Sequence, residues 1–114
     1  MTQKQIDESV DYLKKRGFET PEIGIVLGTG LGQLIESIEH PIEAYYNHIP
    51  YFPLATVEFH TGKLIYGTIE GKKAVVMQGR FHLYEGYDFL DITYPIRVMH
   101  SLGIQQLFVS NAAR

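Results

Sequence analysis

A chain of 114 residues amounts to about one small domain (residues 1–114), long enough to bury roughly two-thirds of the surface it exposes when unfolded. Ten Lys plus Arg against thirteen Asp plus Glu give a formal net charge of −3, and the basic residues are scattered, which leaves no stripe for nucleic acid. No apolar run approaches the roughly 20 residues of a membrane span, no signal-peptide core opens the chain, and the absence of cysteine excludes a disulfide framework, so the expectation is a cytoplasmic protein without membrane contact.

The opening Thr2-Gln3-Lys4-Gln5 has capping-box spacing, Ile6, Val10 and Leu13 follow on one helical face, and Asp11 and Lys15 form an i,i+4 pair. This predicts an amphipathic helix that stops at Gly17. Thr20-Pro21-Glu22 breaks it, and Ile23-Gly24-Ile25-Val26-Leu27 is an apolar run without alternation, as in a central parallel strand covered on both faces. Gly28-Thr29-Gly30-Leu31-Gly32 comes directly after and leads into a helix whose apolar face is Leu31, Leu34, Ile35 and Ile38. Strand, glycine-rich turn and helix start can make an anion site, where backbone N–H groups curl around an oxyanion and the Thr29 hydroxyl adds a donor. The spacing fits neither the dinucleotide fingerprint, whose third glycine would fall at Gln33, nor a Walker A loop. A tight turn with no ligand explains the same glycines equally well.

From His40 to Thr61, Pro41, Pro50 and Pro53 exclude a long helix, and Tyr45, Tyr46, Tyr51, Phe52 and Phe59 read as packing for an irregular segment. His60 is either a ligand-facing group or a satisfied loop histidine. Leu64–Ile69 and Ala74–Met77 flank the tight connection Glu70-Gly71-Lys72 and predict a hairpin. Its second strand runs into Gln78-Gly79-Arg80-Phe81-His82-Leu83-Tyr84-Glu85-Gly86-Tyr87. There Arg80 and His82 offer donors to an oxyanion, and Tyr84 adds a flat, partly polar wall. A phosphate-and-sugar pocket and a solvated turn with aromatics tucked under it both account for that stretch taken alone. Asp91 or Thr93 can then cap a helix with Pro95 in its first turn, Ile92, Ile96, Met99 and Leu102 as apolar face and Gly103 as stop. His100, in the last turn, complements the helix dipole or packs. Leu107-Phe108-Val109-Ser110 predicts another buried strand, followed at once by Asn111-Ala112-Ala113-Arg114.

The alternation of strands and helices predicts an α/β fold: a mixed, mostly parallel sheet flanked by helices. Ligands in such sheets bind beyond the carboxyl ends of the strands, and residues 28–32, 79–87 and 111–112 each follow a strand. If those strands run the same way, Thr29, Arg80, His82 and the backbone N–H of Ala112 can converge on one small anion.

Taken in order, Gly28-Thr29-Gly30-Leu31-Gly32, the run from Gln78 to Tyr87, Pro95-Ile96-Arg97-Val98 and Ser110-Asn111-Ala112-Ala113 closely resemble the trimeric class of purine nucleoside phosphorylases. The Gln78–Tyr87 run is the most specific of the four. The resemblance implies a phosphorylase-type fold and phosphorolysis: phosphate attacks the anomeric carbon of a purine ribonucleoside or deoxyribonucleoside, releasing the base and a pentose 1-phosphate. It implies no metal and no organic cofactor, with inorganic phosphate as co-substrate, and a homotrimer whose neighbouring subunit helps close the pocket. By similarity Thr29, Arg80, His82 and Ala112 hold the phosphate, His60 sits by phosphate and sugar, and Tyr84 contacts the ribose hydroxyls. Glu85 orients His82, the two forming the catalytic pair, and Asn111 orders the phosphate loop.

The family commonly has serine where this chain has Thr29, glycine where it has Phe59, and further glycines where it has Arg114. Threonine keeps the hydroxyl and adds a methyl group, whereas Phe59 could hold His60 differently. Members of the family are more than twice as long, so the resemblance covers their N-terminal portion, without the residues that read the purine. The fold is therefore expected to be incomplete at its C-terminal side, with strands exposed that would otherwise be covered. For the 114 residues alone we expect weak activity or none. The alternatives are a non-enzymatic phosphate-binding or self-associating remnant, and a small α/β domain whose glycines and aromatics are structural throughout.

Overall fold

The computed structural model describes residues 2–26, 32–52, 62–78 and 89–109. Helix α1 (Gln3–Lys15) begins with the predicted capping box: Thr2 Oγ1 accepts from the Gln5 N–H and Gln5 Oε1 from the Thr2 N–H, both at 3.2 Å. At its other end the Gly17 N–H donates to the Lys14 carbonyl and the Phe18 N–H to that of Leu13, both at 3.0 Å. This is a Schellman motif, and its apolar partners Leu13 and Phe18 are fully buried.

Five strands follow in chain order: β1 (Ile23–Val26), β2 (Glu39–Tyr45), β3 (Lys63–Ile69), β4 (Lys72–Gln78) and β5 (Gln106–Val109). They lie side by side as β2-β3-β4-β1-β5. β1 pairs in parallel with β4 and β5, so it is the central parallel strand its apolar run implied. β3 pairs antiparallel with β2 and β4, and among these strands only β3 runs against the rest. The sheet is thus mixed and mostly of one direction, as expected. Glu70 and Gly71 close the β3–β4 hairpin with φ of 50° and 83°, the sign that lets a two-residue turn follow the strands' twist.

Alternation along the strands sends side chains to two layers. Leu64, Tyr66, Val75 and Met77 face α1 and helix α3 (Phe89–Leu102), where they meet Ile6, Val10, Leu13, Val98, Met99 and Leu102. Ile25, Ile65 and Val76 point the other way, to Leu34 and Ile35 of helix α2 (Gly32–Glu36) and to Ile38 beyond it. At about 1.5–3 kcal/mol for each large apolar side chain taken from water, the more populous α1/α3 layer supplies most of the hydrophobic stabilisation.

Three elements differ from expectation. The segment after His40, read as irregular, begins with β2 on the sheet margin and continues as a 3-10 turn, Tyr46–His48. Pro41 is tolerated there because a marginal strand has no partner on one side, and the register shift between Glu39 and Ile42, with His40 at φ 56°, absorbs the break. Helix α3 starts at Phe89, so Asp91 and Thr93 lie within it and Pro95 is internal. Its missing N–H costs one helical bond, offset by the burial of Tyr94, Val98 and Met99. The apolar run of β5 predicts a buried strand, yet Leu107 and Phe108 are 38% and 52% exposed, because β5 closes the other margin of the sheet.

Candidate functional site

Register fixes where the strands end. Val26 is paired with Met77 on one side and with Val109 on the other, so β4, β1 and β5 finish next to one another. Lys63 faces Gln78 in β4 and Tyr45 in β2, so β3 starts and β2 ends at that same carboxyl rim. The opposite rim is closed by short links, among them the 70–71 turn, and is tied by the Glu22 N–H to the Lys73 carbonyl and the Gln105 N–H to the Glu22 carbonyl, both at 2.8 Å. The two longest connections, 46–62 and 79–88, attach at the carboxyl rim, as do 27–31 and the residues after Val109. Such an asymmetry is what a scaffold carrying functional loops on one side requires.

Every sequence-assigned residue belongs to those connections. Thr29 follows β1, His60 precedes β3, Arg80, His82, Tyr84 and Glu85 follow β4, and Asn111 and Ala112 follow β5. All eight lie outside the described residues, as do Gly28, Gly30 and Leu31 of the glycine-rich turn. What the structure supplies is the frame from which they hang, and the condition attached to their convergence, that β1, β4 and β5 run the same way, is met.

The frame has polar features that sequence reasoning passed over. Tyr46, read as packing, is 2% exposed, and its hydroxyl donates to the carbonyl of Gln78, the last residue of β4, at 3.1 Å. Burial pushes its phenol pKa far up, so Tyr46 stays a donor at any ordinary pH. Its ring meets Phe52, with centroids 5.5 Å apart, and Phe52 meets Tyr94 edge-on at 5.8 Å. Tyr94 in turn reaches Ser9 of α1. Ser9 Oγ lies 2.6 Å from the Pro50 carbonyl and 2.7 Å from the Tyr94 hydroxyl, which is itself 3.0 Å from the Gln5 carbonyl. These contacts bind α1, α3 and the segment after β2 together.

On the α2 face of the rim, Lys63 Nζ is 2.9 Å from Glu43 Oε2 and lies over the Tyr45 ring. Its charge is therefore engaged within the frame. Beside it, Gln78 Oε1 is the one buried side-chain acceptor among the described residues without a hydrogen-bond partner. No signal in the spacing of the sequence marks Tyr46 or Gln78 apart from their neighbours. Among the described residues no three His, Asp or Glu gather as a metal site would require, and no helix is long and apolar enough to cross a membrane.

Comparison with known proteins bears on the same region. The phosphorylase superfamily model matches residues 22–113. Purine nucleoside phosphorylase 1 of Geobacillus stearothermophilus is 50% identical over 113 residues, covering 99% of this chain and 41% of the relative. The crystal structure of the Schistosoma mansoni purine nucleoside phosphorylase in complex with acetate superposes with a TM-score of 0.92 at 46% identity, over 98% of this chain and 41% of that one. A second Schistosoma mansoni structure, in complex with inosine, gives a TM-score of 0.90 at 44% identity, over 98% and 39%. The chain thus spans about two-fifths of the length of the curated relatives it matches.

Proposed function

This chain belongs to the phosphorylase superfamily, and on that footing we propose that it is the phosphate-holding part of a purine nucleoside phosphorylase. The observation that carries the reading is the common rim at which β1, β4 and β5 end and β3 begins. Strands spaced about 4.8 Å apart put the four crossings within about 14 Å of one another. At no more than about 3.6 Å per residue, Thr29 is held within about 11 Å of Val26, Arg80 within about 7 Å of Gln78, and His60 and Ala112 within about 11 Å of Lys63 and Val109. One small anion is within common reach of all four.

In the proposed reaction an oxygen of inorganic phosphate bonds to the anomeric carbon of a purine nucleoside as the glycosidic C–N bond breaks. The bonding pair leaves with the base, which takes up a proton. Positive charge builds on the sugar next to a phosphate dianion, so catalysis rests on positioning and electrostatics, with no metal or organic cofactor. Arg80 offers planar charged donors, Thr29 a hydroxyl, Ala112 its N–H, and His82 a donor oriented by Glu85. His60 flanks phosphate and sugar, Tyr84 takes the ribose hydroxyls, and Asn111 orders the loop. The whole enzyme is a cytoplasmic homotrimer in this reading, and the 114 residues hold phosphate without useful turnover, because the purine-reading residues are not among them.

Calorimetric titration of the chain with inorganic phosphate tests this. Saturable binding is expected, weakened about 10-fold or more by Arg80→Ala, as suits the loss of a charge-assisted contact of roughly 1.5–3 kcal/mol. Equal affinity in the two proteins removes Arg80 from the site. A coupled assay with inosine and phosphate separates the readings further, since hypoxanthine release would show that this length of chain is itself an enzyme.

A further inference from the structure

From the hydrogen bonds at the carboxyl rim we infer that Tyr46 is a positioning residue, one that clamps the start of β3 to the end of β4 and so sets the spacing of the segments carrying His60 and Arg80. The inference rests on the phosphate-site reading for its functional meaning, though not for its geometry. The Tyr46 N–H donates to the Gly62 carbonyl at 3.0 Å, and the Tyr46 hydroxyl donates to the Gln78 carbonyl at 3.1 Å. Gly62 stands two residues after His60, and Gln78 two residues before Arg80. A single side chain and its own backbone therefore grip the main chain within about 7 Å of each assigned residue.

Tyr46 is equipped for that task. It is almost completely buried, the Ile49 N–H donates to its carbonyl at 3.1 Å, and Phe52 lies against its ring. These contacts leave the ring little freedom, and its hydroxyl reaches across from the segment after β2 to β4, past β3. A ladder bond between β3 and β4 holds two neighbours together; Tyr46 adds a brace from a third piece of chain at the rim where the pairing stops. Tyr94 is a useful contrast. It belongs to the same aromatic cluster and also carries a buried hydrogen-bonded phenol, but among the described residues its hydroxyl is engaged with Ser9 and Gln5 in α1 and not with the Gly62 or Gln78 carbonyl.

Amide exchange on the 114-residue chain tests the inference, with Tyr46→Phe and Tyr94→Phe compared with the unaltered protein. Tyr46→Phe keeps the ring and the backbone bond to Gly62 and removes the hydroxyl bond to Gln78, which opens the clamp on the β4 side. It should speed exchange about 5- to 10-fold at Lys63–Ile65 and Val76–Gln78 while leaving the hairpin end, Ile69 and Lys72–Lys73, at its original rate. Tyr94→Phe should not produce that gradient. A uniform acceleration along β3 and β4, the same gradient in both variants, or no change at the rim would each overturn the assignment. In parallel, phosphate affinity should fall about 3- to 10-fold in Tyr46→Phe and less in Tyr94→Phe. If the unaltered chain binds no phosphate, the phosphate-site reading fails by itself, and the exchange gradient still decides what Tyr46 does.

Discussion

A phenol that is sealed from water and donates to a backbone carbonyl loses far more by ionising than a phenol in solvent. Tyr46 is in that position, and burial likewise raises Tyr94, with a smaller opposing contribution from Ser9. Tyr51 is raised by the neighbouring Glu8 carboxylate, but it is open to solvent and adds little to stability. For a group whose folded pKa lies above its unfolded one, the stabilisation is complete below the unfolded value, here 10.0, and is lost as pH rises beyond it. Urea unfolding should therefore show the free energy falling above about pH 10, by about 1.4 kcal/mol per pH unit for each such proton. Tyr46→Phe should remove one proton's share of that slope. An unchanged alkaline slope in the variant would mean that Tyr46 is not shielded in the folded chain.

The hairpin shows how an element depends on a position that has no side chain. Gly67, in mid β3, faces the approach of the chain from α2 into β2: a Cβ there would collide with Ile38 and stand 2.8 Å from the Glu39 carbonyl oxygen. Gly71, in the turn, has φ +83° and nothing within 4 Å of the same hypothetical atom. Alanine at 71 should cost about 1 kcal/mol of backbone strain, whereas alanine at 67 must displace backbone and should cost about 1–3 kcal/mol. Thermal unfolding of the two variants checks the order, and a milder Gly67→Ala would show that the β2–β3 approach is loose. The hairpin and α1 could be read from sequence because their signals are local: a turn pair between apolar runs, and a capping box ahead of a helical face. β2 could not, because its pairing with β3 joins residues far apart in the chain, from Tyr45 with Lys63 to Glu39 with Thr68, and its own stretch contains Pro41 and a left-handed His40. For β5 the apolar run of Leu107 to Val109 reads the same in a central strand as at a margin, so exposure had to come from the sheet order. The proposed site shows the same division. Arg80 and His82 stand out among glycines, whereas Tyr46 sits in an aromatic, proline-rich stretch where a clamp and a packing residue look alike.

At the scale of the molecule, the parallel strands do two things at once. Their buried middles hold the two apolar layers together, and their carboxyl ends bring separate stretches of chain to one rim, while the opposite rim is spent on short links. Among the described strands β5 forms one margin of the sheet, with Phe108 half exposed, in a chain that spans about two-fifths of the length of its relatives. Stability should accordingly be concentrated at the β1–β4 centre and fall off toward the rim and toward β5. An anion gripped by segments leaving three different strands would act on the weakest part of this arrangement, joining crossings that pairing alone leaves independent. Linkage gives the size of the effect: a ligand that binds only the folded chain stabilises it by RT ln(1 + [L]/Kd), about 1.4 kcal/mol at ten times its Kd. For a domain of about 100 residues that is a rise in Tm of roughly 4–8 °C or somewhat more. Phosphate should produce this rise, chloride at matched ionic strength should not, and Arg80→Ala should abolish it while leaving the phosphate-free Tm within about 2 °C. An equal rise with chloride would trace the effect to general screening of the net negative charge. A rise that survives Arg80→Ala would place the phosphate somewhere other than the rim.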